Sequence, residues 1–476
     1  MPLSAYVPVL RDNIEGNRLV EKPTYIKAVL DSREFQRLRN IRQTGLASYV
    51  FPTSEHSRFV HSLGVLGTAQ LAYKHIRATG ADHDLPMPGL RFDDDTEKDF
   101  CIATMCHDLG HTAFSHLLET TLLPSDFRNH EECTLHILRS GTQISNAIND
   151  VADLDAVCAF IQSKHPNPAL NDLVSGAFDV DRCDYVLRDS VMCGVEYGQF
   201  DLKWLIRAIS IELNKLGQPT LVLDGTRGMD ALRQFLSARR YMHRQVYFHK
   251  SVRSSQLLLK SILERIQDLE DDRSLRSLIP KPLRCLQKSV RPSFGDFLQT
   301  TDSEILSMVQ AVAHSNHKDK VIRYLSESLI ERRIPKCILD SAMMTKPFST
   351  AYRIVDDNAE TSSPQEEMWP LLLDKSSAVL DDLREYVKKQ LKSSGLPVEL
   401  SRYLVKFDFV RFRSSVPSDF RFKFGKVVVP FDAIHTDVVG FDLRSLLETF
   451  DISRLFVPKE VAGEASDYVD EHYRIQ

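Results

Sequence analysis

A chain of 476 residues, 43% hydrophobic and 26% charged, is long enough for a large core plus a second unit, and it is neither a disordered nor a fibrous composition. A formal charge of −5 gives no global field for a polyanion, so an anionic ligand must rely on local basic groups. No run of about 20 apolar residues occurs, and MPLSAYVPVLRDN lacks the charged start and apolar core of a signal peptide, so a soluble, cytoplasmic protein is expected, with no membrane partner. The eight cysteines show no CxxC spacing and read as reduced core residues.

From Lys27 to about Ile266 the helical period dominates. SREFQRLRNIRQTG sets Phe35, Leu38 and Ile41 three apart and predicts a helix closing at Gly45. RFVHSLGVLGTAQLAYKHI places Phe59, Leu63, Leu66 and Leu71 near one face, and ADHDLPMPGLRF reads as a loop. The acids of FDDDTEKD suit the start of an apolar helix that runs into CHDLGHTAFSH, Cys106 to His116. GMDALRQFLSARRYMHRQVYFHKSVRSSQLLLKSILERI reads as a long helix with basic residues in its middle, and IVDDNAETSSPQEEMWP as a linker. Beyond it, VLDDLREYVKKQLKSSGLP carries Leu380, Leu383, Val387 and Leu391 on one stripe and stops at Gly395. FRFKFGKVVVP alternates Phe420, Phe422 and Phe424 with Arg421 and Lys423, as a half-buried strand does. The fold class expected is mainly α, with a helical catalytic core and N-terminal extension over 1–340 and a smaller α+β lobe over 341–476, regulatory or oligomerising.

Chemistry concentrates in the histidine run. On a helix His107 and His111 share a face, with Asp108 about 100° around. One helix cannot close a coordination sphere, and His61 in RFVHSLG and Asp181 in DVDRCDYVLRD offer the missing ligands. Two imidazoles and two carboxylates suit Mn, Fe, Co, Ni or Zn, with Mg entering mainly on phosphates. Among 16 histidines such spacing also arises by chance, so the flanking segments decide.

FPTSEHSRFVHSLGVLGTA, CHDLGHTAFSH and DVDRCDYVLRD, in this order, resemble the HD-domain phosphohydrolases, and most of all the branch containing the sterile-alpha-motif and HD-domain dNTP triphosphohydrolase and the bacterial dNTPases. The resemblance covers roughly residues 6 to 340. It implies an HD-domain helical core with His61, His107, Asp108 and Asp181 as metal ligands, and attack of activated water on the α-phosphorus of a dNTP to release deoxynucleoside and inorganic triphosphate. It places His111, His116 and His130 around the α-phosphate and leaving oxygen, with Glu119 orienting a histidine; His116 is favoured as the general acid, His130 next. Arg58 and Arg182 would serve the phosphates, Tyr185, Asp189 and Gln43 the sugar, and Arg239, His243 and Tyr247 match phosphate and sugar contacts. Arg182 stands where vertebrate members carry lysine, Phe248 where they carry a glutamine near the base, and Thr44 replaces an apolar residue against the sugar.

Asp31, Gln36 and Arg39 match positions that read an activating GTP or dNTP, and the family implies a homo-oligomer, dimer or tetramer. VLRDNIEG departs from the family pattern at Arg11, Asn13 and Glu15. Two rival readings stand beside this one. The first is an HD phosphohydrolase of other specificity, a nucleotide phosphatase or phosphodiesterase. The second is a non-catalytic nucleotide-binding or nucleic-acid-binding protein, for which VKFDFVRFR and FRFKFGK would be the basic, aromatic surface.

Overall fold

The computed structural model describes residues 9–12, 19–21, 23–79, 92–176, 179–214, 216–341, 365–412, 420–434 and 447–473. Among them the helices named here are α1 (Arg58–Ala78), α2 (Asp94–Cys106), α3 (His130–Arg139), α4 (Val180–Cys193), α5 (Met229–Met242), α6 (Lys250–Asp268), α7 (Lys320–Ile330) and α8 (Gln365–Ser393). The strands are β1 (Val9–Arg11), β2 (Leu19–Glu21), β3 (Ile209–Leu213), β4 (Pro219–Asp224), β5 (Lys336–Asp340), β6 (Lys406–Phe412), β7 (Arg421–Phe424), β8 (Val427–Pro430) and β9 (Phe450–Val457). The protein is mainly α. No helix of the described residues is long and apolar enough to cross a membrane.

Residues group into two compact units that the chain enters more than once. The first takes Met1–Val246, Ser293–Ser303 and Arg413–Glu448; the second takes Tyr247–Pro292, Glu304–Phe412 and Thr449–Gln476. This grouping differs from a single cut after residue 340, and strand pairing is the reason. β7 lies parallel to β4, Val222 opposite Arg421, so FRFKFGKVVVP completes the first unit's four-stranded sheet of order β3-β4-β7-β8.

In the first unit α1 packs against α2 and α4. A helix with neighbours on several sides needs no solvent stripe. Phe59, Leu66, Ala69, Tyr73 and Ile76 are buried, and so are Gly64 and Thr68 on the other side. Leu63 and Leu71, expected on the buried face, are half-buried. Tyr73 meets Phe92 and Phe100 ring to ring, fixing α1 to α2. α2 starts where Asp93 accepts the Thr96 N–H, with Asp94, Asp95 and Glu97 against the positive end of the helix. α4 starts in the same way on Asp179, which accepts from the Arg182 N–H, and ends at Gly194 in the left-handed region.

Three helix predictions break at functional segments. α2 stops at Cys106 with His107 as its cap, so the histidine run lies in turns after the helix rather than on it. SREFQRLRNIRQTG forms one helical turn at Arg33–Gln36 and a 3-10 turn at Arg37–Asn40, then turns extended at Ile41. The cause is lateral: Arg42 bridges Ser57, and its N–H bonds Asp302, so Gly45 caps nothing and opens another 3-10 turn at φ +58°. The long basic helix is interrupted by a π-helical turn, His243–Tyr247, before α6 restarts with His249 as its cap.

The second unit builds on α6, whose Leu258, Leu259, Ile262 and Ile266 are buried, and it carries the antiparallel sheet β5-β9-β6. In α8 three of the four stripe residues, Leu383, Val387 and Leu391, are fully buried, Leu380 is half-buried, and Gly395 turns left-handed after the helix.

Just past α2, Gly110 donates to Thr134 Oγ1 at 2.8 Å, and a Cβ there would stand 2.0 Å from the His130 carbonyl oxygen and 2.5 Å from the Thr134 nitrogen. Backbone cannot retreat as a flexible side chain can, so Gly110→Ala should lose about 1–3 kcal/mol of stability. Gly295→Ala, with open space around it, should be neutral or stabilising by less than about 1 kcal/mol. Denaturant midpoints of the two variants check the contrast.

Candidate functional site

Four segments of the first unit deliver the polar side chains. α1 brings Arg58 and His61, the end of α2 brings His107 and Asp108, α4 brings Asp181, and α3 with the turn before it brings His130 and Glu119. His61 Nε2 lies 2.9 Å from Asp181 Oδ1 and 3.7 Å from Asp108 Oδ2; His107 Nε2 lies 3.1 Å from Asp108 Oδ1 and 3.4 Å from Asp181 Oδ1. The four residues expected to meet at one cation therefore meet. Each imidazole is oriented through its other nitrogen. His61 Nδ1 donates to Asp184 Oδ2 at 2.9 Å, and His107 Nδ1 to the Thr104 carbonyl at 2.8 Å.

A divalent cation fits this set. Both Nε2 atoms are buried and lack a hydrogen-bond partner, although carboxylate oxygens stand within 3.4 Å of each; atoms that share a common focus rather than aiming at one another have this arrangement. The electrostatics agree. Burial opposes charge on His61, but Asp181 and Asp184 outweigh it and raise the imidazole to about 9; Asp108 and Asp181 likewise outweigh burial at His107 and raise it well above its ordinary value. That field of carboxylates attracts two protons or, equally, one dication with both imidazoles neutral. Mixed nitrogen and oxygen donors point to the intermediate metals read from the sequence.

Asp108 serves two neighbours. Its Oδ2 accepts from Arg58 Nη1 at 2.5 Å, and its Oδ1 lies 3.3 Å from His111 Nε2. Burial pushes the Asp108 carboxyl up, but Arg58, His107 and His111 overcome that and hold it well below the usual range. Burial and the Arg58 cation together push His111 far down, leaving it neutral near pH 7.

Beside this centre stands a second cluster. His111 stacks on His130 with centroids 3.9 Å apart, and His116 closes edge-on to both, 4.8 Å from His111 and 5.1 Å from His130. Glu119 accepts from His116 Nδ1 at 3.1 Å and from His130 Nδ1 at 3.0 Å, and also from the His130 N–H. Burial raises the Glu119 carboxyl, but these histidine contacts dominate and drive it far below its ordinary value. Both rings thus keep Nε2 for a ligand, and His116 is two-thirds exposed. His107 and His111 were expected on one helix face; with the helix ended at Cys106, His107 joins the cation set and His111 the histidine cluster.

The remaining expected residues divide. Arg58 is pinned between Asp108 and Ser115 Oγ. Tyr185 accepts from Arg239 Nε at 3.3 Å, and His243 donates to the Arg239 carbonyl, burial and that arginine pushing its imidazole down to about 3. His243 opens the π turn and Tyr247 closes it, and Tyr247 is grouped with the second unit. Arg182 is drawn onto Asp179 and the Gly176 carbonyl. Gln43 donates its backbone N–H to the His56 carbonyl, and its Oε1 is buried without a partner. Asp189 accepts from His56 Nε2 at 2.7 Å. Gln36 and Arg39 bond each other at 2.7 Å, Arg39 lies over the Phe59 ring, and Asp31 caps the preceding turn.

Several contributors were missed from sequence. Arg37 donates to the Leu109, His111 and Thr300 carbonyls and fixes the turn after α2. Asp302 accepts the Phe114 N–H at 2.7 Å, holding a phenylalanine at φ +53° where that residue is strained. His56 and Asp184 lay inside the quoted motifs, where a second histidine before RFVHSLG and an Asp-Arg pair four apart on α4 were the available signals.

No protein-family model matches the chain. It is 30% identical over 309 residues to YwfO of Bacillus subtilis, covering 64% of this chain and 66% of that protein. It is 27% identical over 383 residues to the deoxynucleoside triphosphate triphosphohydrolase SAMHD1 homolog of Dictyostelium discoideum, covering 75% and 70%. Relatives at 30% identity are spanned over only 50% to 66% of their length. A crystal structure of a phosphohydrolase from Bacteroides thetaiotaomicron superposes with a TM-score of 0.71 at 22% identity, over 95% of this chain and all of that one. The fold is that of the HD phosphohydrolases. Within this HD fold the His107-Asp108 pair is the junction between the cation set and the three histidines.

With Mn2+ or Co2+ in slight excess followed by desalting, the parent should retain about one ion per chain. His107→Ala and Asp108→Ala should fall below about a tenth of that, and His116→Ala should keep it, since loss of a direct ligand costs more than the 10- to 100-fold of an outer partner. Metal analysis of the desalted proteins reads the outcome.

Proposed function

We propose that the chain is a metal-dependent phosphohydrolase acting on deoxynucleoside triphosphates, cleaving between the α-phosphorus and the sugar oxygen to release deoxynucleoside and inorganic triphosphate. The observation that carries the proposal is the juxtaposition, through Asp108, of a cation set with a histidine cluster whose Nε2 atoms are left for a ligand. His61, His107, Asp108 and Asp181 would hold a divalent cation, which would supply an activated water and offset charge on phosphoryl oxygens. Arg58, already locked against Asp108, adds a fixed positive charge beside the phosphate position. The 5′-oxygen is a poor leaving group and needs a proton. His116 donates it from Nε2 while Glu119 holds Nδ1, and His130 on the same carboxylate is the alternative donor.

The Dictyostelium relative's name supports the nucleotide class, and Arg239 with Tyr185 supplies a cation and a hydroxyl suited to phosphate and sugar. Activation by GTP or a second dNTP, and assembly into a homo-oligomer, belong to the same proposal, with Asp31, Gln36 and Arg39 as the activator contacts. Incubation of each dNTP with Mn2+, Mg2+, Co2+ or Zn2+, with and without GTP, should yield deoxynucleoside and triphosphate in equal amounts by chromatography. His116→Ala should lower kcat by about 10²–10⁴-fold. Pyrophosphate or orthophosphate as product would assign another phosphohydrolase specificity, and binding without turnover in every metal a sensor.

A further inference from the structure

Behind the His61 ligand runs a row of buried charge that reaches the N-terminal hairpin. His61 Nδ1 donates to Asp184 Oδ2; Arg188 binds Asp184 with two nitrogens, Nε to Oδ2 at 2.8 Å and Nη2 to Oδ1 at 2.9 Å; and Arg188 binds Asp12 with two more contacts, Nη1 to Oδ1 at 3.1 Å and Nη2 to Oδ2 at 2.9 Å. Arg188 and His61 are fully buried, Asp184 is 1% exposed and Asp12 is 8% exposed. α1 makes room for the row at Gly64, where a Cβ would lie 2.0 Å from both Arg188 Nη2 and Asp184 Oδ1. Asp12 directly follows β1, which pairs antiparallel with β2, Leu10 opposite Val20, and β2 packs on α1.

We propose that Asp12 is a positioning residue for the cation site, and that docking of the β1–β2 hairpin tunes cation affinity through Arg188, Asp184 and His61. Arg188 is one cation shared by two carboxylates. With Asp12 present, Asp184 keeps enough negative charge to accept strongly from His61 Nδ1, which fixes the ring and raises the basicity of Nε2. Without Asp12 the guanidinium is neutralised by Asp184 alone, Asp184 becomes a weaker acceptor, and His61 becomes a poorer and less fixed ligand. The hairpin and the cation then stabilise each other, since any coupling between two binding events is reciprocal.

The inference rests on the cation-binding reading of this site, and Co2+ tests both separately. Affinity is measured by competition with a chelating indicator, and coordination by the visible spectrum of the Co2+ protein. Asp184→Asn removes the direct partner of His61 and should weaken Co2+ by about 10- to 100-fold; Asp12→Asn, two bonds further out, should weaken it roughly three- to tenfold and shift the spectrum, with Asp12→Glu recovering part of the loss. In the parent, Co2+ should slow amide exchange at Leu10 and Val20. Asp12→Asn with parental affinity and spectrum, or hairpin exchange indifferent to Co2+, overturns the proposal, even if the variant melts earlier. If Asp108→Ala leaves Co2+ affinity intact, the cation reading itself fails.

Discussion

A single carboxylate, Asp108, sets the terms for the site. Only 3% of it is exposed, yet it stays charged because Arg58 and then His107 stand against it, with His111 Nε2 3.3 Å away. Removing the Arg58 guanidinium would leave that charge poorly compensated in a low-dielectric interior, which is far costlier than the surface equivalent. The helices around it are therefore tightly constrained: α1 must present Arg58 and His61 together, α2 must end one residue before His107, and α4 must bring Asp181 across from both. The buried α1 follows from the same demand, since a helix carrying polar groups on an inner face needs neighbours to satisfy them.

The chain breaks regular structure where this site is built. Phe114 adopts a left-handed conformation and is followed by Ser115 at φ +57°; Asp302 and Arg37 hold the turns around them with charged hydrogen bonds to backbone. Burial raises the Asp302 carboxyl to about 6 even though it accepts two backbone N–H groups, a cost met by fixing the turn that aims His111 and His116. The π turn after α5 is a second such departure, at the residues expected to meet nucleotide. Two successive left-handed residues inside the histidine run fit a segment whose geometry outranks local propensity.

Two layers of oriented histidines share one construction. For four of the five rings a carboxylate or carbonyl takes the Nδ1 hydrogen, Asp184 for His61, the Thr104 carbonyl for His107 and Glu119 for His116 and His130, whereas His111 Nδ1 is buried without a partner. In the cation set Nε2 of each ring is buried among carboxylate oxygens; in the cluster beside it the carboxylate holds Nδ1 of His116 and His130 instead. The two groups of imidazoles thus differ in their surroundings, several aspartates at the first and one shared glutamate at the second.

The sequence by itself determined the mainly helical class, because periodicity of apolar residues is local, and it marked His61, His107, Asp108 and Asp181 as a set, because its three motifs carried them in order. It also marked His116, His130 and Glu119, which do meet. Only the tertiary structure decided where helices stop: the Cys106 end and the Ile41 break depend on Arg37 and Asp302 reaching across from distant segments. Only it placed FRFKFGKVVVP in the first unit, because a parallel strand pairing leaves no mark in either strand's own pattern. The Asp12-Arg188-Asp184 row was likewise out of reach, since Asp12 and Arg188 lie 176 residues apart and buried charge is stable only against a partner that folding brings to it.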